Sequence, residues 1–315
     1  MAGEALRLAL LRLPQIALTL ALLSLAAWLA IGLMPGDPAS LALMSDPRLT
    51  PEDVARLRAL HGLDRPLMER YLAWALGLLR GEFGYSRLFA QPVVAVLWPA
   101  LRSTLVLVGL AVALAAVVGV ALGALAALRP RAGGFVDALA LLAQAVPSFW
   151  LGILLIILFA VTLGWLPAGG LPGEGQPAWT FLVLPVATIG FGQMAAYARH
   201  SAAALGEALR QPWVRAARAR GASDRRVLWR HALPNAGVPL LTLLALDAGS
   251  LVSGALVTET VFARPGMGKL LYDAVMGNDY NLALLALLLV ALMTMLATLA
   301  ADIAQRWLDP RLEEA

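Results

Sequence analysis

The sequence predicts an all-α integral membrane protein of six transmembrane helices, in which an N-terminal span and an external helical segment precede a core of spans 2–6. Three observations carry that prediction. First, only 14% of the 315 residues are charged against 60% hydrophobic, with a mean hydropathy of +0.77; a soluble domain carries about 25% charged residues. Second, six stretches with at most two charged residues each approach or exceed the roughly 20 helical residues that a bilayer core requires: about 13–34, 103–128, 136–164, 179–198, 236–263 and 281–305. Third, arginine supplies every one of the 24 basic residues except Lys269, and it clusters between particular stretches.

That clustering orients the chain, because basic residues are retained on the cytoplasmic side. Arg7 and Arg12 precede span 1, Arg129 and Arg131 follow span 2, and eight arginines lie from Arg199 to Arg230. Those segments go inside, which places both termini in the cytoplasm and 35–102 outside. The loop 35–102 also has eight arginines, against seven acids, but it exceeds the roughly 60 residues over which the rule operates. The net charge of +4 and pI near 9.9 therefore read as orienting charge and do not call for a nucleic-acid partner. Cysteine is absent, which excludes disulfides, thiol nucleophiles and thiolate metal sites.

Taken in order, span 1 contains the 20-residue uncharged run Gln15–Met34. Arg7 and Arg12 ahead of it would suit a signal peptide, but the run exceeds the 7–15 residues of a signal core, so a retained anchor is expected. The external segment opens on the turn Pro35-Gly36-Asp37-Pro38. A helix is expected from Thr50-Pro51-Glu52-Asp53, with Thr50 as cap and the acids at the helix N-terminus. A second helix is expected over about 65–79, with Leu67, Tyr71, Trp74 and Leu78 on one face. The segment reads equally as a cap on the membrane or as a contact for an external protein. This divides the chain into 1–102 and a core of 103–315. In the core, Pro147 interrupts span 3 and Pro185 sits early in span 4. Each is expected to be a tolerated kink, with a gating hinge as the alternative.

The loop of about 206–236 differs in kind. Pro212 fits the first turn of a helix running to Arg220, and Gly221 fits the position just past its end. Ser223 fits the cap of a second helix that stops at Pro234. Ala216, Ala217, Ala219 and Gly221 leave one side shallow. Arg215, Arg218, Arg225, Arg226 and Arg230 are available to acidic groups on a partner or to anionic lipid heads. Plain positive-inside charge would explain the arginines but not this helix–Gly–helix layout.

Ala216-Ala217, then three residues, Gly221, and later Leu233-Pro234 resemble the EAA motif of permease subunits of ATP-binding-cassette (ABC) importers. The motif's first glutamate is Arg215 here. An ordered set of further matches covers almost the whole chain. They are Leu33-Met34-Pro35-Gly36-Asp37-Pro38, Gly62-Leu63-Asp64-Arg65-Pro66-Leu67, Gly81-Glu82-Phe83-Gly84-Tyr85-Ser86 and Pro147-Ser148-Phe149-Trp150-Leu151-Gly152. Leu163-Gly164-Trp165-Leu166-Pro167, Glu259-Thr260-Val261-Phe262 with Pro265-Gly266-Met267-Gly268, and Leu308-Asp309-Pro310-Arg311 complete the set. Together they resemble the first permease subunit of the dipeptide, oligopeptide and nickel importers. The resemblance implies the type I ABC importer (MetI-like) fold. It also implies pairing with a second, homologous permease, with span 1 packed around that partner. Two cytoplasmic ATPases would dock on the EAA loops, here Arg215, Ala216, Ala217, Arg218, Gly221, Leu233 and Pro234, and an external solute-binding protein would deliver the solute.

No catalytic constellation stands beside this loop, and no metal or cofactor is expected. Gly268-Lys269-Leu270 lacks the upstream glycine and following hydroxyl of a phosphate loop, so ATP hydrolysis is expected of partner subunits. Asp247 inside span 5 and Glu259 near its external end are the candidate pathway carboxylates. Asp247 could instead be hydrogen-bonded to a neighbouring helix or to the partner permease, and Glu259 could sit at the membrane interface. As coupling carboxylates the same two would define an ion-coupled secondary transporter, but that reading expects matched interrupted helices in the two halves, which the sequence lacks.

Overall fold

The computed structural model describes residues 2–32, 50, 52, 65–237, 240–241, 243–244 and 255–308. Its order is α1 (Ala2–Gly32), α2 (Leu67–Leu79), a hairpin of β1 (Tyr85–Ser86) and β2 (Gln91–Pro92), and α3 (Val93–Leu128). Then follow α4 (Pro130–Ala145), α5 (Ser148–Leu155), a π-helical stretch at Ile156–Thr162, and α6 (Thr180–Arg210). The chain closes with α7 (Pro212–Ala219), α8 (Asp224–Val227), α9 (Leu256–Val261), α10 (Met267–Met276) and α11 (Tyr280–Leu308). Among the described residues, four helices are long and apolar enough to cross a membrane, and up to five if one bent pair is a single span. The span expected at 236–263 falls largely outside the described residues, and a count of six rests on it. The turn at 35–38, and all of the expected first external helix except Thr50 and Glu52, also fall outside.

Three boundaries differ from expectation. Span 4 does not end at 198: α6 continues to Arg210, into the segment expected as the start of the loop. Span 2 does not begin at 103: α3 starts at Val93 and carries Arg102 within it. The uncharged run ends at Arg102, but that side chain is exposed on the helix surface and does not interrupt the backbone ladder. Span 3 is not one kinked helix. Its two halves, Arg131–Ala145 and Ser148–Thr162, meet at 98°. Val146 is extended at φ −88°, ψ 119°, as a residue before proline is driven to be, so the helix ends there and a new one starts after Pro147. Pro185, by contrast, is buried within a continuous α6.

The centre of the fold is α3 lying along α6. A Cβ on Gly119 would come within 2.6 Å of Tyr197 Cβ and 2.7 Å of Met194 O, and a Cβ on Gly123 would overlap Ser201 Oγ. Contacts advance along both helices together, so the two run parallel. Gly119 and Gly123 form a G-x-x-x-G pair, the small-residue spacing that lets membrane helices approach closely. Ser201 Oγ is buried there and reaches Tyr197 O at 2.6 Å and Gly119 O at 3.3 Å.

The external segment is tied to the last helix. Asp279 caps α11, accepting from Leu282 N at 3.2 Å, and its other oxygen accepts from Ser86 Oγ at 2.6 Å and Leu88 N at 3.0 Å. Trp74 Nε1 donates to Asn281 Oδ1 at 3.2 Å, and Asn281 Nδ2 donates to Phe83 O at 3.0 Å. The expected face of α2 is its packed face: Tyr71 and Trp74 stack against Trp28 at 6.0 and 5.4 Å, and Leu78 meets the core of α3 and α11. Helix α1 lies on this chain's own α11, where Arg12 pairs with Asp302 at 2.7 Å. Most of the rest of α1 is exposed among the described residues.

Candidate functional site

The loop after α6 is built around Gly221. Helix α7 starts with Pro212 in its first turn and ends at Arg220. Gly221 then turns at φ +84°, a left-handed conformation that glycine adopts without the Cβ penalty. Its N–H bonds Arg218 O at 2.9 Å, and Ala222 N–H bonds Ala217 O at 3.1 Å. These are the two reciprocal bonds of a Schellman stop, which satisfy carbonyls that the helix end would leave orphaned. Ser223 caps α8, its hydroxyl accepting from Arg226 N at 3.4 Å. Arg218 and Asp224 pair at 3.0 Å across the bend, both largely exposed, so solvent screens the pair.

The second helix does not stop at Pro234. The backbone is π-helical over Leu228–Ala232 and stays helical through Gly237. In a regular turn the Pro234 ring would press on the carbonyl four residues earlier; a wider π turn just ahead of it relieves that contact. Asn235 Nδ2 also donates to His231 O at 2.7 Å, supplying a bond from a side chain. The proline is therefore carried inside the helix.

Of the expected docking residues, Arg215, Ala216, Arg218, Gly221 and Pro234 are exposed, while Leu233 is half-buried. Ala217 is 3% exposed and faces inward, so the shallow side comprises Ala216, Ala219 and Gly221. Ala217 belongs instead with Val214 and Val227, both fully buried, which seat the loop. Leu228 and Leu233 pack on Leu205, Ala208, Ala232 and Ala236, fastening the loop to the end of α6. A recess of about 440 Å³ lined by Asp137, Gly206, Arg210, Arg218 and Asp224 lies beside the bend. Arginine and glycine patterning does not point to Trp213 and Trp229, 36% and 63% exposed; Trp229 lines a recess with Arg225, Arg226 and Arg230, and Trp213 lies 6.4 Å from the ring of His231. Indole enrichment at membrane interfaces was the available signal.

The second candidate region is far from this loop. Asp247 lies outside the described residues. Glu259 was expected to line a pathway, but it is fully buried. One carboxylate oxygen accepts from Thr104 Oγ1 at 2.5 Å, and the other accepts from Gly268 N at 2.8 Å and Lys269 N at 3.1 Å. Thr104 Oγ1 in turn accepts from Met267 N at 2.7 Å. Glu259 thus caps the N-terminus of α10 from a distance, where a negative group is favoured by the helix dipole. A Cβ on Gly266 would overlap that carboxylate. The motifs around Glu259 and Gly266 are two halves of one interlock, and the N–H groups of Gly268 and Lys269 are occupied by the chain's own acid. The backbone N–H of Arg264, a residue 9% exposed, donates to the main-chain carbonyl of Glu259 at 2.8 Å. Burial pushes its guanidinium below the ordinary arginine value, opposed in part by the charge of Glu259.

Comparison with known proteins follows this geometry. The family of binding-protein-dependent transport system inner membrane components matches residues 119–314. The "Probable peptide ABC transporter permease protein y4tP" of Sinorhizobium fredii is 37% identical, covering 96% of this chain and 97% of its own length. The di/tripeptide transport system permease protein DppB of Pseudomonas aeruginosa is 36% identical over 90% of this chain and 91% of its own. The oligopeptide transport system permease protein AppB of Bacillus subtilis is 32% identical over 89% and 90%. Among solved structures, an inward-facing MetNI methionine ABC transporter chain superposes with a TM-score of 0.58 at 21% identity, covering 69% of this chain and 98% of that one. That likeness establishes the type I importer fold.

Proposed function

The chain belongs to the family of binding-protein-dependent transport system inner membrane components, and from that premise we propose that it carries di- or oligopeptides across the membrane as one of two homologous permeases forming a shared pathway. Membership makes it a permease subunit of an importer and implies ATPase and solute-binding partners. Three relatives whose names specify peptide, di/tripeptide and oligopeptide transport support the peptide assignment; nickel, a metal chelate or glutathione are the other solutes of the wider group.

The observation that carries the coupling mechanism is the Gly221 bend. Two cytoplasmic ATPases receive the permease pair on this loop in each subunit. Arg215, Ala216, Arg218 and Gly221 meet the ATPase surface, while Ala217, Leu233 and their neighbours transmit its movement into α6. ATP binding turns the pathway outward to take solute from the binding protein, and hydrolysis resets it. Both termini and the 206–236 loop are cytoplasmic, and 35–102 is external. The test is reconstitution of the full complex, with partner permease, ATPases and binding protein, in proteoliposomes. ATP-dependent uptake of labelled di- and oligopeptides is expected. Uptake of nickel or glutathione without peptide uptake would reassign the solute, and no ATP-dependent uptake of any of them would reject the proposal.

A further inference from the structure

A groove of about 670 Å³ lies between α1, α2, α3 and α11, lined by residues that include Ala17, Ala75, Leu78, Trp98, Leu101 and Leu288. Its few polar atoms are already engaged. Ser24 Oγ and Tyr71 OH share a hydrogen bond at 2.9 Å and both reach Ala21 O, and Trp74 Nε1 is given to Asn281. A wall without free donors or acceptors does not hold water, so its occupant is hydrocarbon.

Position says which hydrocarbon. The stretches of α1 and α11 that line the groove fall inside the membrane-crossing segments Leu10–Gly32 and Tyr280–Ala304. The rim is apolar and open: Leu79 is 85% exposed, Trp98 68% and Val94 48%. The outer face of α2 presents Met68, Leu72 and Leu76, each about half exposed, so this helix is apolar on both sides and unsuited to water. Directly after Leu79 comes Arg80, exposed and without an ion-pair partner among the described residues. On the opposite edge of α2, Arg70 lies over the Trp28 ring at 6.0 Å.

We infer that the groove is a phospholipid site, holding one acyl chain between α2 and the spans, with the lipid phosphate paired to Arg80. Helix α2 then lies at membrane depth as a wedge sealed by lipid, on the side of the membrane that holds the β1–β2 hairpin.

The experiment uses membranes containing the whole complex and phosphatidylglycerol with a photoactivatable group on its acyl chain, with phosphatidylcholine carrying the same group as comparison. Labelling concentrates on α2 and residues 285–292, above that at Val117, a 71% exposed position on α3. Ala75→Phe and Leu288→Trp, which fill the groove from two helices, each lower it to the level seen at Val117. Arg80→Gln lowers labelling by both phosphate-bearing lipids, and by phosphatidylglycerol more, because its headgroup has no cation of its own beside the phosphate. Groove labelling no higher than at Val117, labelling undiminished in both filled variants, or cross-links from these residues to the second permease in place of lipid would overturn the assignment. Labelling by both lipids left unchanged by Arg80→Gln overturns the phosphate contact. The readout is independent of transport, so its failure is distinct from failure of the permease proposal.

Discussion

The guanidinium of Arg12 meets the carboxylate of Asp302 at 2.7 Å across 290 residues of chain. The contact brings the beginning of α1 and the end of α11 to the same level. Both residues lie in the terminal turns of the apolar segments Leu10–Gly32 and Tyr280–Ala304, at the end that arginine placement predicts to be cytoplasmic.

The first prediction is topological. Reporter fusions at Ala315 and near Ala59 should report opposite sides of the membrane, Ala315 on the cytoplasmic side. The same side for both would overturn the orientation.

The second concerns Gly221. A non-glycine residue at φ +84° carries a strain of roughly 1–2 kcal/mol, although a Cβ there meets nothing within 4 Å in this chain. Gly221→Leu should leave the spans inserted and the permease pair assembled while ATPase co-purification and uptake fall sharply. Arg226→Ala should do less, since one exposed charge contributes under about 1 kcal/mol. Normal ATPase recovery with Gly221→Leu would mean that the loop contributes charge alone.

The third tests the contact of α3 with α6. Gly123→Leu must push Ser201 and the α6 backbone away, and no rotamer avoids a clash at Cβ. Membrane-inserted, detergent-stable protein should be lost, while Gly109→Ala, with open space around its Cβ, should match wild type. Size-exclusion profiles of the two variants decide it.

The fourth tests the buried cap. Glu259→Leu strands the N–H groups of Gly268 and Lys269 and the Thr104 hydroxyl, at roughly 1–3 kcal/mol for each buried group left unpaired. Thermal unfolding should shift strongly downward. Glu259→Gln, which keeps acceptor capacity, should shift it less. Equal stability of Glu259→Leu and wild type would remove the capping role.

The fifth concerns autonomy: the purified chain alone should neither bind nor hydrolyse ATP. Turnover free of any ATPase partner would contradict the permease assignment.

The amino-acid sequence by itself determined that this chain is a membrane protein, roughly where four of its long helices lie, and that its arginine-rich loop is helix, Gly221, then helix. Those properties are local: apolar length, proline at a helix start and glycine in a left-handed stop act over a few residues, and each is written in the residues concerned. Tertiary structure alone decided what the remaining residues are for. Glu259 is a carboxylate near the end of a predicted span, and only its encounter with Thr104, 155 residues away, makes it a cap for α10. Ala217 and Ala216 are neighbours of the same type, and only packing against the rest of the fold buries one and exposes the other. Pro147 and Pro185 carry the same ring. Yet the chain breaks by 98° at the first and runs straight through the second, because neighbouring helices decide whether a proline's lost hydrogen bond is absorbed or becomes a corner.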